Sequence, residues 1–452
     1  MPRLRLTGAA LLPMTDEMPL IPDGLLVAED GVITYAGAAA DYAGPRDAEQ
    51  TLDGEGCVAI PGLINAHTHC AMTLLRGAAD DMPLMPWLQQ RIWPAEERLE
   101  PDDVYWGVLL GALEMLSGGV TCFNDMYHEF RRGTQAAIDS RIRACPSGVL
   151  LGFRPNAEDL LDDALEFTRD LAARRQPRIH PMLGPHAPYT CPDHLLVRVL
   201  EGARQQGIGI HIHISETQNE VRESVAQYGV TPVRRLHDLG LFDVPVAAAH
   251  CVHLTAEDLD LIVAKGVGVV HNPGSNMKLG SGFAPVPELL QRGAIVGLGT
   301  DGAASNNNLD VLEEVRLAAI LHKGYTGDPT VVTAAQALRM ATRGSAAALG
   351  LDDLIGALTP GRRADVALIR LKAPHLVPLH SVVSHLVYAA RAGDVQATIV
   401  DGEVVYEQGR FPHLDAEEIM AQAAARGFRL VGTEPADSLQ PGPLTRRSTE
   451  VY

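Results

Sequence analysis

Six side chains able to bind a cation or move a proton stand at the ends of short apolar runs: His67 and His69 in PGLINAHTHC, His213 and Glu216 in HIHISE, His250 in AAHC, and Asp301 in GLGTDGAASNN. In an extended strand, side chains two apart share a face, so the HxH pair sets two imidazoles side by side, a geometry that chelates metals. His211 and His213 repeat the spacing. His213 lies nearer the carboxyl end of its run and is the expected ligand, while His211 is expected to pack inside or to hydrogen-bond a ligand from behind. Asp301 completes a His₃Asp set that leaves one position open for water. One divalent ion per subunit is expected, Zn²⁺ by default, because imidazole and carboxylate suit Zn²⁺ and Fe²⁺ alike.

Glu216 follows His213 by three residues, past the end of the run, where a carboxylate can reach a substrate rather than the metal. His250 is expected to hydrogen-bond the attacking water, or to add a further ligand. The only lysines are Lys265, Lys278, Lys323 and Lys372, all downstream of the fifth apolar run. A carboxylated lysine bridging two metals from the fourth strand is therefore excluded, and a mononuclear site is expected unless a carboxylate or cysteine near His186 takes the bridging place. Such a site suits hydrolytic attack on an aromatic amidine carbon. Asp301 accepts a proton from the attacking water, Glu216 protonates the ring nitrogen, and the proton passed to the departing amine releases ammonia.

Catalytic groups at the ends of apolar strands are how a (β/α)₈ barrel builds an active site. Eight strands are expected to end near His67, Asn124, Arg154, His186, Ser215, His250, Asn272 and Asp301, alternating with helix-period stretches such as DDVYWGVLLGALEMLSGG and VLEEVRLAAILHKG. Two further segments, LLVAEDGVITYAG and ATIVDGEVVYEQG, alternate apolar and polar residues around Asp-Gly, a strong hairpin signal. The expected architecture is a barrel over 59–360 and a small β-sandwich domain built from both chain ends, 1–58 plus 361–415. A C-terminal extension, 416–452, is expected to be partly flexible because its end is rich in Pro, Ser, Thr and charge.

The formal charge of -19 argues against nucleic acid and anionic membrane partners. The opening MPRLRLTGAALLPM is broken by Pro13, Asp16 and Glu17 before a signal core forms, and no apolar run approaches the ~20 residues that span a bilayer. The six cysteines lack CxxC spacing, as expected of reduced thiols in a cytoplasmic protein.

The strings PGLINAHTH, PWLQQRIWPAEERL, GVTCFNDMY, GPHAPYTC, HIHISET, AAHCVHLT, HNPGSNMKLG and LGTDGAASNN resemble the amidohydrolase superfamily, specifically its 5-methylthioadenosine/S-adenosylhomocysteine deaminases. The resemblance runs from about Leu52 to Arg410. It implies a purine nucleoside substrate, metal ligands His67, His69, His213 and Asp301, and catalytic roles for Glu216 and His250. It also implies nucleoside contacts from Trp87, Glu96, His186 and Ser305: an apolar wall from Trp87, acceptance of two ribose hydroxyls by Glu96, and polar contacts to ring or sugar from the other two. Barrels of this kind often form dimers or tetramers.

One departure bears on substrate choice. The family usually holds the homocysteine carboxylate with an arginine after the third strand region, where ACPSGVLLG here carries Ser147 and Gly148. Unless Arg143 or Arg154 compensates, methylthioadenosine, 5'-deoxyadenosine and adenosine rise above S-adenosylhomocysteine. The alternatives are deamination of guanine or pterins and displacement of chloride from triazines, a group whose members often lack the glutamate, and, remotely, an inert barrel used as a scaffold. The HxE and PCxxC signature of the zinc nucleoside deaminases is missing.

Overall fold

Short apolar runs alternate with capped helices, and the pattern closes on itself. In the computed structural model, which describes residues 3–174 and 176–433, the central strands are Leu63–Thr68, Val120–Tyr127, Arg143–Leu150, Gly184–Pro185, Ile210–Ile214, Val246–His250, Gly268–His271 and Val296–Leu298. They pair in parallel within two four-stranded arcs. Leu183 bridges to Ile210 across one gap, and across the other the Asp301 N–H donates to the His67 carbonyl at 3.0 Å. The arcs thus form the expected (β/α)₈ barrel with every carboxyl end at one mouth.

The helical expectations are met by Pro101–Ser117, opened by a Glu100/Asp103 capping box, and by Val311–Thr326, opened by Asp310 and closed at Gly327 with φ +73°. These are strong start and stop signals in the sequence.

Three strand ends differ from expectation, the eighth stopping at Leu298 rather than near Asp301. The second strand runs past Asn124 to Tyr127, because two of its polar side chains find partners inside the barrel: Asn124 Nδ2 donates to the Ala66 carbonyl at 2.9 Å, and Asp125 accepts the Cys70 N–H at 2.7 Å. The third strand stops at Leu150 rather than near Arg154. There the chain turns so tightly against Pro192 that a side chain at Gly152 would collide with it.

Both Asp-Gly segments are hairpins. Gly24–Glu29 pairs with Val32–Ala38 around Asp30 and Gly31, and Val395–Val400 pairs with Glu403–Glu407 around Asp401 and Gly402. All four turn residues have positive φ, 51° and 76° in the first turn and 59° and 77° in the second, the type I′ requirement. The two turns abut, and an ideal Cβ on Gly402 would lie 2.9 Å from Gly31 Cα.

The second hairpin belongs to a five-stranded sheet that continues through Val366–Arg370 to Cys57–Pro61 and Ala10–Leu11. The first belongs to a four-stranded sheet with Leu4–Thr7 and Gln50–Asp53. Leu4, Leu6 and Leu26 from one sheet share a buried cluster with Ala59, Val366 and Ile399 from the other, so the sheets face each other as a sandwich. Cys57–Pro61 then passes through Gly62, where a Cβ would collide with Thr121, directly into the first barrel strand.

Arg143 fastens the two bodies together. It starts the third barrel strand, at the end opposite the mouth, is fully buried, and donates to Asp365 Oδ2 and Oδ1 at 2.9 Å each. A role for Arg143 in binding a substrate carboxylate is ruled out, since its guanidinium is consumed at the barrel floor. Beyond the sandwich, Ala416–Val431 forms a helix that lays Gly427 against the Leu74 carbonyl and pairs Arg429 with Asp103. Residues 434–452, the end of the expected extension, lie outside the described residues. Among those described, no helix is long and apolar enough to cross a membrane.

Candidate metal centre and cavity at the barrel mouth

The ends of four strands bring the expected ligands together. The candidate ligand atoms of His67, His69 and His213, and those of His67, His250 and Asp301, form two groups within which all lie inside 4.8 Å of one another. Asp301 Oδ1 is 3.2 Å from His67 Nε2 and 3.3 Å from His69 Nε2.

Each imidazole is oriented from behind. His69 Nδ1–H donates to the Met126 carbonyl and His213 Nδ1–H to the His186 carbonyl, both at 2.6 Å; a carbonyl only accepts, so each Nε2 keeps its lone pair. For His67 the same result follows through a chain of partners. Ser147 Oγ–H donates to the Asp125 carbonyl at 2.7 Å and so accepts from His211 Nδ1–H at 3.4 Å. His211 Nε2 then accepts from His67 Nδ1–H at 2.7 Å. His67 Nε2 is buried with no hydrogen-bond partner, a donor set that fits a divalent cation. Asp301 is held too: its Oδ2 accepts from Ser275 at 2.6 Å and Ser305 at 2.8 Å, leaving Oδ1 to the histidines.

The electrostatics agree with that fit. Burial pushes His67 down to about 4. It works against charge on His69 as well, but pairing with Asp301 outweighs it and lifts that imidazole to about 9. Burial alone would raise Asp301, yet His67 and His69 hold it well below the usual carboxylate range. The cluster thus draws positive charge to its centre.

Glu216 and His250 face each other beside these ligands. Glu216 Oε2 lies 3.9 Å from His250 Nε2, and Ser281 Oγ donates to Glu216 Oε1 at 3.3 Å. Burial raises the Glu216 carboxyl despite His250 nearby. His250 Nδ1–H donates to Asn276 Oδ1 at 2.9 Å, so its Nε2 lone pair is free to face Glu216. Ser215, His250 and Asp301 all have left-handed backbones, at φ 51°, 71° and 62°, conformations that non-glycine residues adopt at a cost and that cluster at active sites.

A cavity opens above them, and Trp87, Glu96, His186, Glu216, His250 and Ser305 are among its walls. Trp87 Nε1 donates to the Ala79 carbonyl at 3.1 Å, which turns its ring into a fixed apolar wall. Glu96 Oε2 is 3.6 Å from His128 Nε2. His186 packs at a tilt against His213, ring centroids 4.8 Å apart, and burial pushes it down to about 3, so it is neutral. No arginine or lysine lines the cavity among the described residues. Arg154 is half-buried and outside the lining, and an ideal Cβ at Gly148 would lie 2.5 Å from Phe130 Cδ1, leaving no room there for an arginine.

A model of the amidohydrolase family matches residues 58–405. The chain belongs to the amidohydrolase family. This amidohydrolase is 50% identical over 441 residues to the 5-methylthioadenosine/S-adenosylhomocysteine deaminase of Pelotomaculum thermopropionicum, covering 96% of this chain and 100% of that protein. Among solved structures, it is similar to an adenosine deaminase from Xanthomonas campestris with bound zinc, at 37% identity and a TM-score of 0.92, covering 95% of this chain and 99% of the other. An atrazine chlorohydrolase from Arthrobacter aurescens complexed with zinc superimposes at a TM-score of 0.85 and 27% identity, covering 94% and 100%.

Sequence reasoning missed several supports of this amidohydrolase site. Glu220 accepts the N–H groups of Ser215 and Glu216 at 2.8 Å each. Glu314 accepts from Gly274 N–H at 3.0 Å and Asn306 Nδ2 at 2.8 Å, tying the short helix that carries Ser275 to the loop that carries Ser305. The available signal was a glutamate one helical turn into each helix that follows a ligand-bearing loop. Tyr127 also lines the cavity; burial first, and Glu96 second, hold its phenol well above its usual range.

Proposed function

We propose that this amidohydrolase is a hydrolytic deaminase that replaces the 6-amino group of an adenosine derivative with oxygen, releasing ammonia. His67, His69, His213 and Asp301 would hold the divalent ion, taken to be zinc, and such an ion when bound supplies Lewis acidity that lowers the pKa of water toward ~7. The arrangement that carries the reading is a raised Glu216 carboxyl opposite His250 Nε2, in the same cavity as the ligand cluster. A carboxyl whose proton is held more tightly because of burial can act as an acid toward a ring nitrogen, which makes the adjacent carbon electrophilic. Asp301, pinned through Oδ2 by two serine hydroxyls, takes a proton from the attacking water. His250 orients that water through its free Nε2. Once oxygen has added to the carbon, the proton held by Asp301 passes to the amino group, ammonia leaves, and the remaining proton of the added oxygen returns to Glu216 as the carbonyl forms.

Trp87, Glu96 and His186 are assigned to the nucleoside, and Ser305 to the cavity wall and the Asp301 carboxylate. The absence of arginine and lysine from the described lining favours methylthioadenosine, 5'-deoxyadenosine and adenosine over S-adenosylhomocysteine. The six free, buried cysteines support a reducing, cytoplasmic setting.

The experiment is ammonia release from adenosine derivatives varied at the 5' position, at fixed metal content, with guanine, a pterin and a triazine as controls. Strong preference for the carboxylate-bearing thioether would overturn the ranking. Release from a control but from no nucleoside would overturn the substrate class.

A further inference from the structure

Buried polar atoms are nearly always paired, and the exceptions mark strain, ions or ligands. Several barrel residues carry a buried side-chain atom without a hydrogen-bond partner, but among the described residues only Tyr127 does so while lining the cavity. Its side chain closes the second strand and is 3% exposed. It stands between the ligand cluster and Glu96: its ring centroid is 6.4 Å from that of His69 and 5.4 Å from that of His128, the histidine that Glu96 approaches to 3.6 Å.

The donor and acceptor inventory of this corner is lopsided. A carboxylate only accepts, whereas a phenol has one proton to donate. A vicinal diol complements the pair. Its two O–H groups can both be taken by Glu96, and its oxygens keep lone pairs that need a donor. Tyr127 is the donor beside them: its hydroxyl meets no partner at hydrogen-bonding geometry, although it lies close enough to Glu96 to feel that carboxylate.

We propose that Tyr127 reads the sugar: its hydroxyl donates to one oxygen of the ribose cis-diol whose protons Glu96 accepts. The assignment rests on the nucleoside reading given above. It makes the cavity selective for ribonucleosides, because an analogue lacking that oxygen leaves a buried hydroxyl unpaired.

The test compares wild type with Tyr127→Phe, using adenosine, 2'-deoxyadenosine and 3'-deoxyadenosine as substrates and kcat/KM and Tm as readouts. The variant is expected to lose roughly tenfold on adenosine and on one deoxy analogue, and nothing on the analogue that lacks the contacted oxygen. Its Tm is expected to match or exceed that of wild type, because the hydroxyl removed has no partner within the protein. Equal losses on all three nucleosides, or no loss on any, would overturn the assignment. A lowered Tm would do the same by showing the hydroxyl paired internally. If wild type releases ammonia from no nucleoside, the deaminase reading falls and Tyr127 falls with it; an active wild type with a uniform variant profile removes only the role of Tyr127.

Discussion

His67 leans on His211: the proton on His67 Nδ1 is given to His211 Nε2 across 2.7 Å, and only then does His67 Nε2 present a lone pair to the ligand cluster. The two histidines on the fifth strand therefore have different work, His213 toward the ion and His211 toward a ligand's back. His213→Ala is expected to abolish tight metal binding, whereas His211→Ala is expected to weaken it ~10–100-fold. Metal content after dialysis against graded chelator measures both. A His211 variant that empties as fully as the His213 variant would reverse the assignment on that strand.

Glu216→Gln keeps shape and volume while removing the transferable proton. It is expected to retain metal and Tm and to lose ~10²–10⁴-fold in turnover. Turnover near that of wild type would take Glu216 out of proton transfer.

Arg143 is locked between barrel and sandwich, and its charge is balanced only by buried carboxylates. Asp365→Asn is expected to cost roughly 3–5 kcal/mol of stability, the usual consequence of leaving one half of a buried pair, read by denaturant unfolding. Asp401 adds an acid limit. Burial would raise it, but Arg363 and Arg143 hold it below the usual aspartate value. A depressed carboxylate stabilises the fold above its unfolded pKa of about 3.9, and that contribution disappears as pH falls through the lower folded value. Thermal melts from pH 7 downward should therefore fall less steeply below about pH 4 in Asp401→Asn than in wild type, from a lower starting Tm.

Glu314 has the opposite sign. Burial pushes its carboxyl up to about 8, so the folded chain binds its proton more tightly than the unfolded chain, where glutamate titrates near 4.3. The stability this gives is full below the unfolded value and is lost as pH rises through about 8. Wild-type Tm is expected to decline between about pH 4.3 and about pH 8, and Glu314→Gln to flatten that decline. An unchanged slope in the variant would assign the decline to other groups.

Much of this was legible in the sequence because the barrel writes function at strand ends: HTH, HIHISE, AAH and GTD each sit where an apolar run stops. The Asp-Gly hairpins were legible for a similar reason, since φ values such as those of Asp401 and Gly402 demand those residue types. Asn124 and Asp125 looked like a strand terminus because polarity normally marks one. They are instead buried and paired across the barrel, which only the closed ladder reveals. Arg143 shows the same limit. Its position near the third strand was clear, but which end of the barrel it faced depended on Asp365, far along the chain. Glu220 and Glu314 escaped notice because a glutamate in the first turns of a helix is commonplace; their importance comes from the N–H groups they receive.

The abutment of Gly31 on Gly402 has a consequence for how the molecule is made. Strand Cys57–Pro61 leads into the barrel, yet one of its flanking partners, Val366–Arg370, leaves the ribosome only after every barrel strand. While the barrel is being synthesised, the apolar faces of Leu4–Thr7 and Gly24–Glu29 are opposed only by Ala10–Leu11 and Cys57–Pro61. The nascent chain must carry that sticky surface until its own distant end arrives, which makes premature termination after the barrel the surest route to aggregation.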